Sequence, residues 1–270
     1  MAKILICTPS YFKNGKIAVA QKLAETLFAQ QTTCTWEWYI PTEDCTSNKD
    51  MTQVNQNIAF KLNKGREIVL HNNFDALFWC PDDHVLTPTV LEQMVHFIGT
   101  HAIVSAPVRL RPSSMGMSHI GLMSYKDANA RDKIGEGLPA VGADFSRLSE
   151  WYRKIKWEAP FEVAGGGLPM ITREVLEKVK FRQEDKPTDS NFIGADLRFF
   201  SDAYRLGYKT LIVPAQIGHI DQGQELWLDE AFYDDLVKRN MIGELIYEYV
   251  LKNDGLLSKA EKEALTVNSE

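Results

Sequence analysis

Asp75 to His84 reads Asp-Ala-Leu-Phe-Trp-Cys-Pro-Asp-Asp-His, an apolar run that ends in two carboxylates and an imidazole. A short buried-type run stopped by proline suits a central strand of a parallel sheet, and such sheets gather ligands at the carboxyl ends of their strands. Two adjacent acids are not both buried and ionised without a counter-charge, and a divalent cation, alone or carrying a phosphate, supplies one. Asp82, Asp83 and His84 therefore read as a candidate metal and nucleotide site. The same acids would also shape a turn and cap a helix starting near Pro88, and this stretch by itself leaves both readings open.

The elements that must position these groups alternate along the chain. Lys3–Thr8 is a β-rich run ending at Pro9, and Ile17, Val19, Ala20, Leu23, Ala24, Leu27 and Phe28 fall at helical spacing within 17–30. Thr35–Ile40 reads as a second strand and Val54–Leu62 as part of a second helix. Asp75–Cys80 is a third strand, Thr89–Ile98 a third helix and Ala102–Ala106 a fourth strand. Alternation of this kind specifies an α/β fold, a mostly parallel central sheet flanked by helices. From Arg109 to Phe161 the periodicity fades into a stretch longer than most loops, a length that usually signals function. Beyond it, a glycine-rich segment and a strand at Met170–Thr172 lead into a helix at Arg173–Val179, followed by a helix at Asp196–Leu206 and a strand at Lys209–Val213. The tail from Glu225 to Leu265 reads as helical, with Leu226, Phe232, Leu236, Ile242, Leu245, Ile246 and Tyr249 in apolar stripes. The expected division is a domain over 1–222 and a C-terminal helical extension over 223–270, which packs on the sheet or forms a homo-oligomer interface.

Composition narrows the classes. With 270 residues, 44% of them hydrophobic, the chain can bury a large core. A formal charge of −6 argues against a broad nucleic-acid surface, although Arg109 and Arg111, and the run from Arg147 to Lys156, are locally basic. No stretch approaches the roughly 20 apolar residues of a membrane span, and Met1–Cys7 leads into a strand rather than a signal segment; the expected location is cytoplasmic. Cys7, Cys34, Cys45 and Cys80 lack close metal-type spacing, so reduced thiols are expected.

Three separated pieces occur in a telling order: Asp82-Asp83-His84-Val-Leu-Thr-Pro, then Gly165-Gly-Gly-Leu-Pro-Met-Ile-Thr-Arg-Glu-Val-Leu, then Gly194-Ala-Asp-Leu-Arg-Phe-Phe-Ser-Asp-Ala-Tyr-Arg-Leu-Gly-Tyr-Lys with Gly218-His219 after it. Together they resemble family-two glycosyltransferases of the GT-A (Rossmann-like) fold, particularly the small forms of bacteriophages and bacteria, over roughly Lys3 to His219. The resemblance implies a nucleotide-sugar donor, a UDP-sugar being favoured, bound across the carboxyl ends of the first strands, with Mn²⁺ or Mg²⁺ bridging its diphosphate to an Asp-x-Asp motif. One register sets Pro81 and Asp83 at the two aspartates, and another makes Asp82-x-His84 the motif. Asp83 and Asp82 are thus the implied metal ligands, with His219 matching the distant histidine that completes the shell; a histidine tilts the choice toward Mn²⁺.

The resemblance further implies a catalytic base at Asp196, where the family's Glu-Asp pair becomes Ala195-Asp196, in an inverting transfer to an acceptor hydroxyl. Aspartate in the first turn of a helix also serves the macrodipole alone. Gly165, Gly166 and Gly167 would let backbone approach the donor sugar or acceptor, or simply turn the chain. Thr8, Pro9, Ser10 and Tyr11 match the segment that cups the nucleoside, where Tyr11 either stacks or lies on the surface, and Arg66 reaches a phosphate or solvent. The acceptor is left open among a glycan, a protein, a small molecule and modified DNA, with host cytoplasm the location if the gene is phage-borne. Two alternatives stand beside this one. A sugar-phosphate nucleotidyltransferase would want a glycine-rich basic loop where Thr8–Lys16 has only Gly15 and two lysines. A catalytically impaired sugar-nucleotide binding protein fits the loss of family carboxylates at Pro81 and Ala195.

Overall fold

A computed structural model describes residues 1–10, 12–13, 16–17, 19–47, 50–106, 108–109, 168–182, 195–213, 215–221 and 223–227. In chain order the first half holds β1 (Lys3–Cys7), β2 (Phe12–Lys13), β3 (Lys16–Ile17), α1 (Gln21–Phe28), β4 (Thr35–Tyr39), α2 (Met51–His71), β5 (Ala76–Trp79), β6 (His84–Leu86), α3 (Val90–Ile98) and β7 (Ile103–Ala106). The second half holds β8 (Leu168–Thr172), α4 (Arg173–Lys178), α5 (Ala195–Arg205), β9 (Thr210–Ile212), β10 (Ile217–Asp221) and β11 (Gln224–Leu226).

Ile4, Leu5, Ile6 and Cys7 are all buried, which places β1 in the interior of a sheet covered on both faces. Six strands pair in the order β4-β1-β5-β8-β7-β9. β1 is parallel to β4 and β5, and β7 is parallel to β9, while β8 runs antiparallel to both of its neighbours. The fold is thus the mixed α/β architecture expected, a mainly parallel sheet flanked by helices, with one reversed strand. An apolar run such as Leu168–Thr172 carries no direction, so the reversal was not legible in it. Alternating side chains divide the core into two layers. Ile4, Ile6, Phe78, Val104 and Met170 meet Leu23 and Leu27 of α1 and Leu91 and Met94 of α3. Leu5, Cys7, Leu77, Ile103 and Ile171 meet Leu62 and Val69 of α2, Leu176 of α4, and Phe199 and Phe200 of α5.

Three elements depart from the sequence reading. The first helix starts at Gln21 rather than near Ile17, because Lys16 and Ile17 pair with Phe12 and Lys13 in a hairpin. The second helix runs past Val54–Leu62 in both directions, opened by Asp50, whose side chain accepts from the Gln53 N–H at 2.8 Å. Gly65 within it is a close-packing point: a Cβ there would stand 2.8 Å from Cys7 Sγ. Finally, Gln224–Leu226 is a strand paired with β10, not the opening of a helical tail; residues 228–265 of that tail lie outside the described residues. β10 and β11 join β6 in a three-stranded antiparallel sheet at the carboxyl end of β5, and this small sheet builds the site.

Candidate metal centre

After β5 the main sheet ends where the Cys80 N–H donates to the Cys7 carbonyl at 3.0 Å, and the chain turns through Pro81, Asp82 and Asp83. Backbone bonds hold this turn from two sides: Ala20 N–H donates to the Asp82 carbonyl at 3.0 Å and Ile220 N–H to the Asp83 carbonyl at 2.7 Å. The β6–β10 ladder then sets His84 directly opposite His219. Their rings stack with centroids 4.8 Å apart and planes 10° from parallel. Asp83 lies against both, Oδ1 2.8 Å from His84 Nδ1 and Oδ2 3.1 Å from His219 Nε2.

His219 Nδ1 sits 3.0 Å from the Arg109 carbonyl. With a proton on Nδ1 alone, donated to that carbonyl, the Nε2 lone pair faces a carboxylate oxygen and the two would share a bound cation; with both nitrogens protonated, Nε2 donates to Asp83 instead. Both imidazoles are buried, and the ligand atoms of Asp83, His84 and His219 all lie within 4.8 Å of one another. One carboxylate and two imidazoles fit a divalent ion of the Mn²⁺ to Zn²⁺ series. Burial pushes the Asp83 carboxyl up, yet the adjoining His219 and His84 imidazoles, when protonated, outweigh it and hold the group well below the usual carboxylate range. Asp82 goes the other way. Burial and then the charge of Asp83 raise it to about 6, although Ser10 Oγ donates to its Oδ2 at 3.3 Å.

The sequence-derived residues divide by place. Asp83 and His219 come together, with His84 as a third ligand from the same strand end. Asp82 is outside that cluster and turns to Ser10. Thr8, Pro9 and Ser10 are buried at the carboxyl end of β1. Thr8 N–H donates to the Tyr39 carbonyl at 3.0 Å, and Thr8 Oγ1 accepts from Trp38 Nε1 at 2.9 Å. Arg66 is placed elsewhere: it is nearly buried in α2, and its Nε donates to the Leu176 and Val179 carbonyls at 2.5 and 3.1 Å, closing the end of α4. Asp196 is the second residue of α5, and its side chain lies outside the described residues, as do Tyr11 and Gly165, Gly166 and Gly167.

Sequence reasoning passed over two buried polar residues beneath the site. Asn57 and Lys61, one turn apart on α2, are 0% and 1% exposed. Asn57 Oδ1 accepts from the Cys45 and Thr46 N–H groups at 2.8 and 2.9 Å, and Lys61 Nζ lies 2.5 Å from Asp44 Oδ1. The available signal was the Asn57-Lys61-Gly65 spacing of four, which puts polar residues on the packed face of a helix.

Fold and cluster together define a mixed α/β protein with a candidate metal centre at the carboxyl end of its central strands. Among solved structures the chain aligns with A197 from STIV at 15% identity, covering 85% of this chain and 95% of that one, with a TM-score of 0.49. It also aligns with S. aureus TarS at 15% identity and a TM-score of 0.39, covering 98% of this chain but 42% of TarS. No family model and no curated protein matches the sequence.

Proposed function

We propose that this protein is a metal-dependent glycosyltransferase, moving a sugar from a nucleotide-sugar donor to an acceptor hydroxyl. The observation that carries the reading is the Asp83–His84–His219 cluster at the carboxyl end of β5, beside the buried Thr8–Ser10 segment at the carboxyl end of β1. Adjacent parallel strands ending in an oxygen- and nitrogen-rich cluster are where an α/β sheet receives a phosphorylated ligand. The order of motifs resembling family-two glycosyltransferases supports the same assignment.

In this reading Asp83, His84 and His219 hold Mn²⁺, which suits an imidazole-containing set better than Mg²⁺ does. A bound ion would neutralise charge on the departing nucleoside diphosphate. Thr8, Pro9 and Ser10 form the floor under the nucleoside, a UDP-sugar being the favoured donor, and Asp82 keeps Ser10 in place. Asp196 in the first turn of α5 is the proposed base, taking the proton of the acceptor hydroxyl as it attacks the anomeric carbon.

A second reading has its own observation. Ala195, 1% exposed, packs in the core where the resembled family carries a carboxylate, so a sugar-nucleotide binding protein without turnover stays in play. The test titrates metal-free protein with Mn²⁺ and with uridine, guanosine, cytidine and adenosine diphosphates in its presence, then follows donor hydrolysis or transfer. The expected result is Mn²⁺-dependent binding of one diphosphate, lost with Asp83→Asn. Turnover that disappears in Asp196→Asn while binding persists identifies the enzyme; binding without turnover in the wild-type protein identifies the second reading. Absence of any binding by folded protein overturns both.

A further inference from the structure

Lys61 is a large, charged side chain with 1% exposure, and burying an ammonium is costly unless its protons are placed. Here they are placed on two loops at once. Nζ donates to the Ser10 carbonyl at 2.5 Å and lies 2.5 Å from Asp44 Oδ1, so one cation joins the segment after β1 to the segment after β4. One turn earlier on the same face, Asn57 donates to the Thr46 carbonyl and accepts from the Cys45 and Thr46 N–H groups, fixing the same loop as Asp44. One turn later, Gly65 lets α2 lie against Cys7 at the end of β1. Ser10 in turn donates its hydroxyl to Asp82, next to the metal ligands.

We infer that Lys61 is the positioning residue of the donor face: it locks the loops after β1 and β4 into one surface and sets Ser10 against the strand end that carries Asp82. This rests on the donor-site reading proposed above and assigns to α2 a role in ligand affinity that no motif indicates. The Asp83–His84 and Asp83–His219 contacts that build the cluster run between those three side chains, while Lys61 Nζ is engaged by the Ser10 carbonyl and Asp44. Its removal therefore separates two affinities. With Lys61→Met the loops lose their common anchor, while the three metal ligands keep theirs.

The experiment is calorimetric titration of the wild-type protein, Lys61→Met and Leu27→Ala. The last is a destabilising control in the core layer on the opposite face of the sheet. Each is titrated with Mn²⁺ alone and with uridine, guanosine, cytidine and adenosine diphosphates in the presence of Mn²⁺, with melting temperatures recorded in parallel. The expected result for Lys61→Met is Mn²⁺ affinity within about two-fold of wild type and nucleoside diphosphate affinity lower by about ten-fold or more, since loop ordering is then charged against binding. Leu27→Ala keeps both affinities. Unchanged diphosphate affinity in folded Lys61→Met overturns the inference and leaves the donor reading standing, and so does an equal loss of Mn²⁺ affinity, which marks general damage. If Lys61→Met does not fold, Asp44→Asn carries the same comparison: weakened diphosphate binding with intact Mn²⁺ binding supports the clamp, and wild-type values for both overturn it. Wild-type protein that binds none of the four diphosphates overturns the donor reading and this inference together.

Discussion

Two glycine-to-alanine substitutions at helical positions are expected to change stability in opposite directions. At Gly65, an added Cβ would stand 2.8 Å from Cys7 Sγ, 3.0 Å from Leu77 Cδ1 and 3.2 Å from Cys7 Cβ. Overpacking of this kind costs about 1–3 kcal/mol, against which alanine returns about 1 kcal/mol of helix propensity. The net expectation for Gly65→Ala is a loss of about 1 kcal/mol. Gly99 closes α3 with φ −73°, and a Cβ there meets nothing within 4 Å. Gly99→Ala should therefore gain about 0.4–1 kcal/mol, mostly by restricting the unfolded chain. Urea denaturation followed by far-ultraviolet circular dichroism reads both. Adding Cys7→Ala to Gly65→Ala removes the sulfur it strikes, so the double variant should be less destabilised than the sum of the singles by about 1 kcal/mol. If Gly65→Ala stabilises as Gly99→Ala does, α2 is not seated on β1 as described. The placement of Asn57 and Lys61 beneath the loops after β1 and β4 would then fall with it.

Arg66→Met should cost about 2–4 kcal/mol by stripping partners from buried carbonyls at the end of α4, while leaving nucleoside diphosphate affinity unchanged in the folded protein; a selective loss of affinity would return Arg66 to the phosphate role. Native protein treated with an aromatic disulfide reagent at pH 8 should release one fast equivalent, from exposed Cys45, because burial holds the Cys7, Cys34 and Cys80 thiols above their ordinary range. Replacing Cys45 with serine should abolish that fast phase. Gly218→Ala would bring a Cβ within 2.8 Å of the Trp227 ring, so a shift of the emission spectrum and a loss of about 1–3 kcal/mol are expected. An unchanged spectrum would place Trp227 elsewhere.

Much of the frame could be read from the chain because its signals are local. Ile4–Cys7 and Ala76–Trp79 are unbroken apolar runs, and Leu23 and Leu27 sit one turn apart, so strand and helix types followed from spacing. The small sheet could not be read in this way. β6 and β11 have three residues each, too few for a period, and Ile217–Asp221 mixes glycine, histidine and aspartate. The pairing that unites Asp83 with His219 spans 136 positions of sequence, and only the β6–β10 ladder supplies it. Asp83, His84 and His219 were each legible as candidates, but the register that sets His84 opposite His219 was not. Arg66 shows the converse limit: a basic residue at a suggestive position closes a neighbouring helix, a role set entirely by where α4 lands.

The polar stripe of α2 ties the loops around the site to one another. A helix that buries Asn57 and Lys61 gives up apolar burial at two positions and must recover it through hydrogen bonds that only one loop arrangement satisfies. Those bonds end on Thr46, Asp44 and Ser10, at the carboxyl ends of β4 and β1. Ser10 passes the constraint to Asp82, and the backbone of Asp82 and Asp83 is pinned again from Ala20 and Ile220. Three strand ends are thereby fixed relative to one another through polar contacts, whereas the apolar layers fix only the bodies of the strands. On the function proposed above, a donor that meets both the Thr8–Ser10 segment and the Asp83 cluster would gain affinity from that fixed spacing, because little ordering would be left to be done on binding.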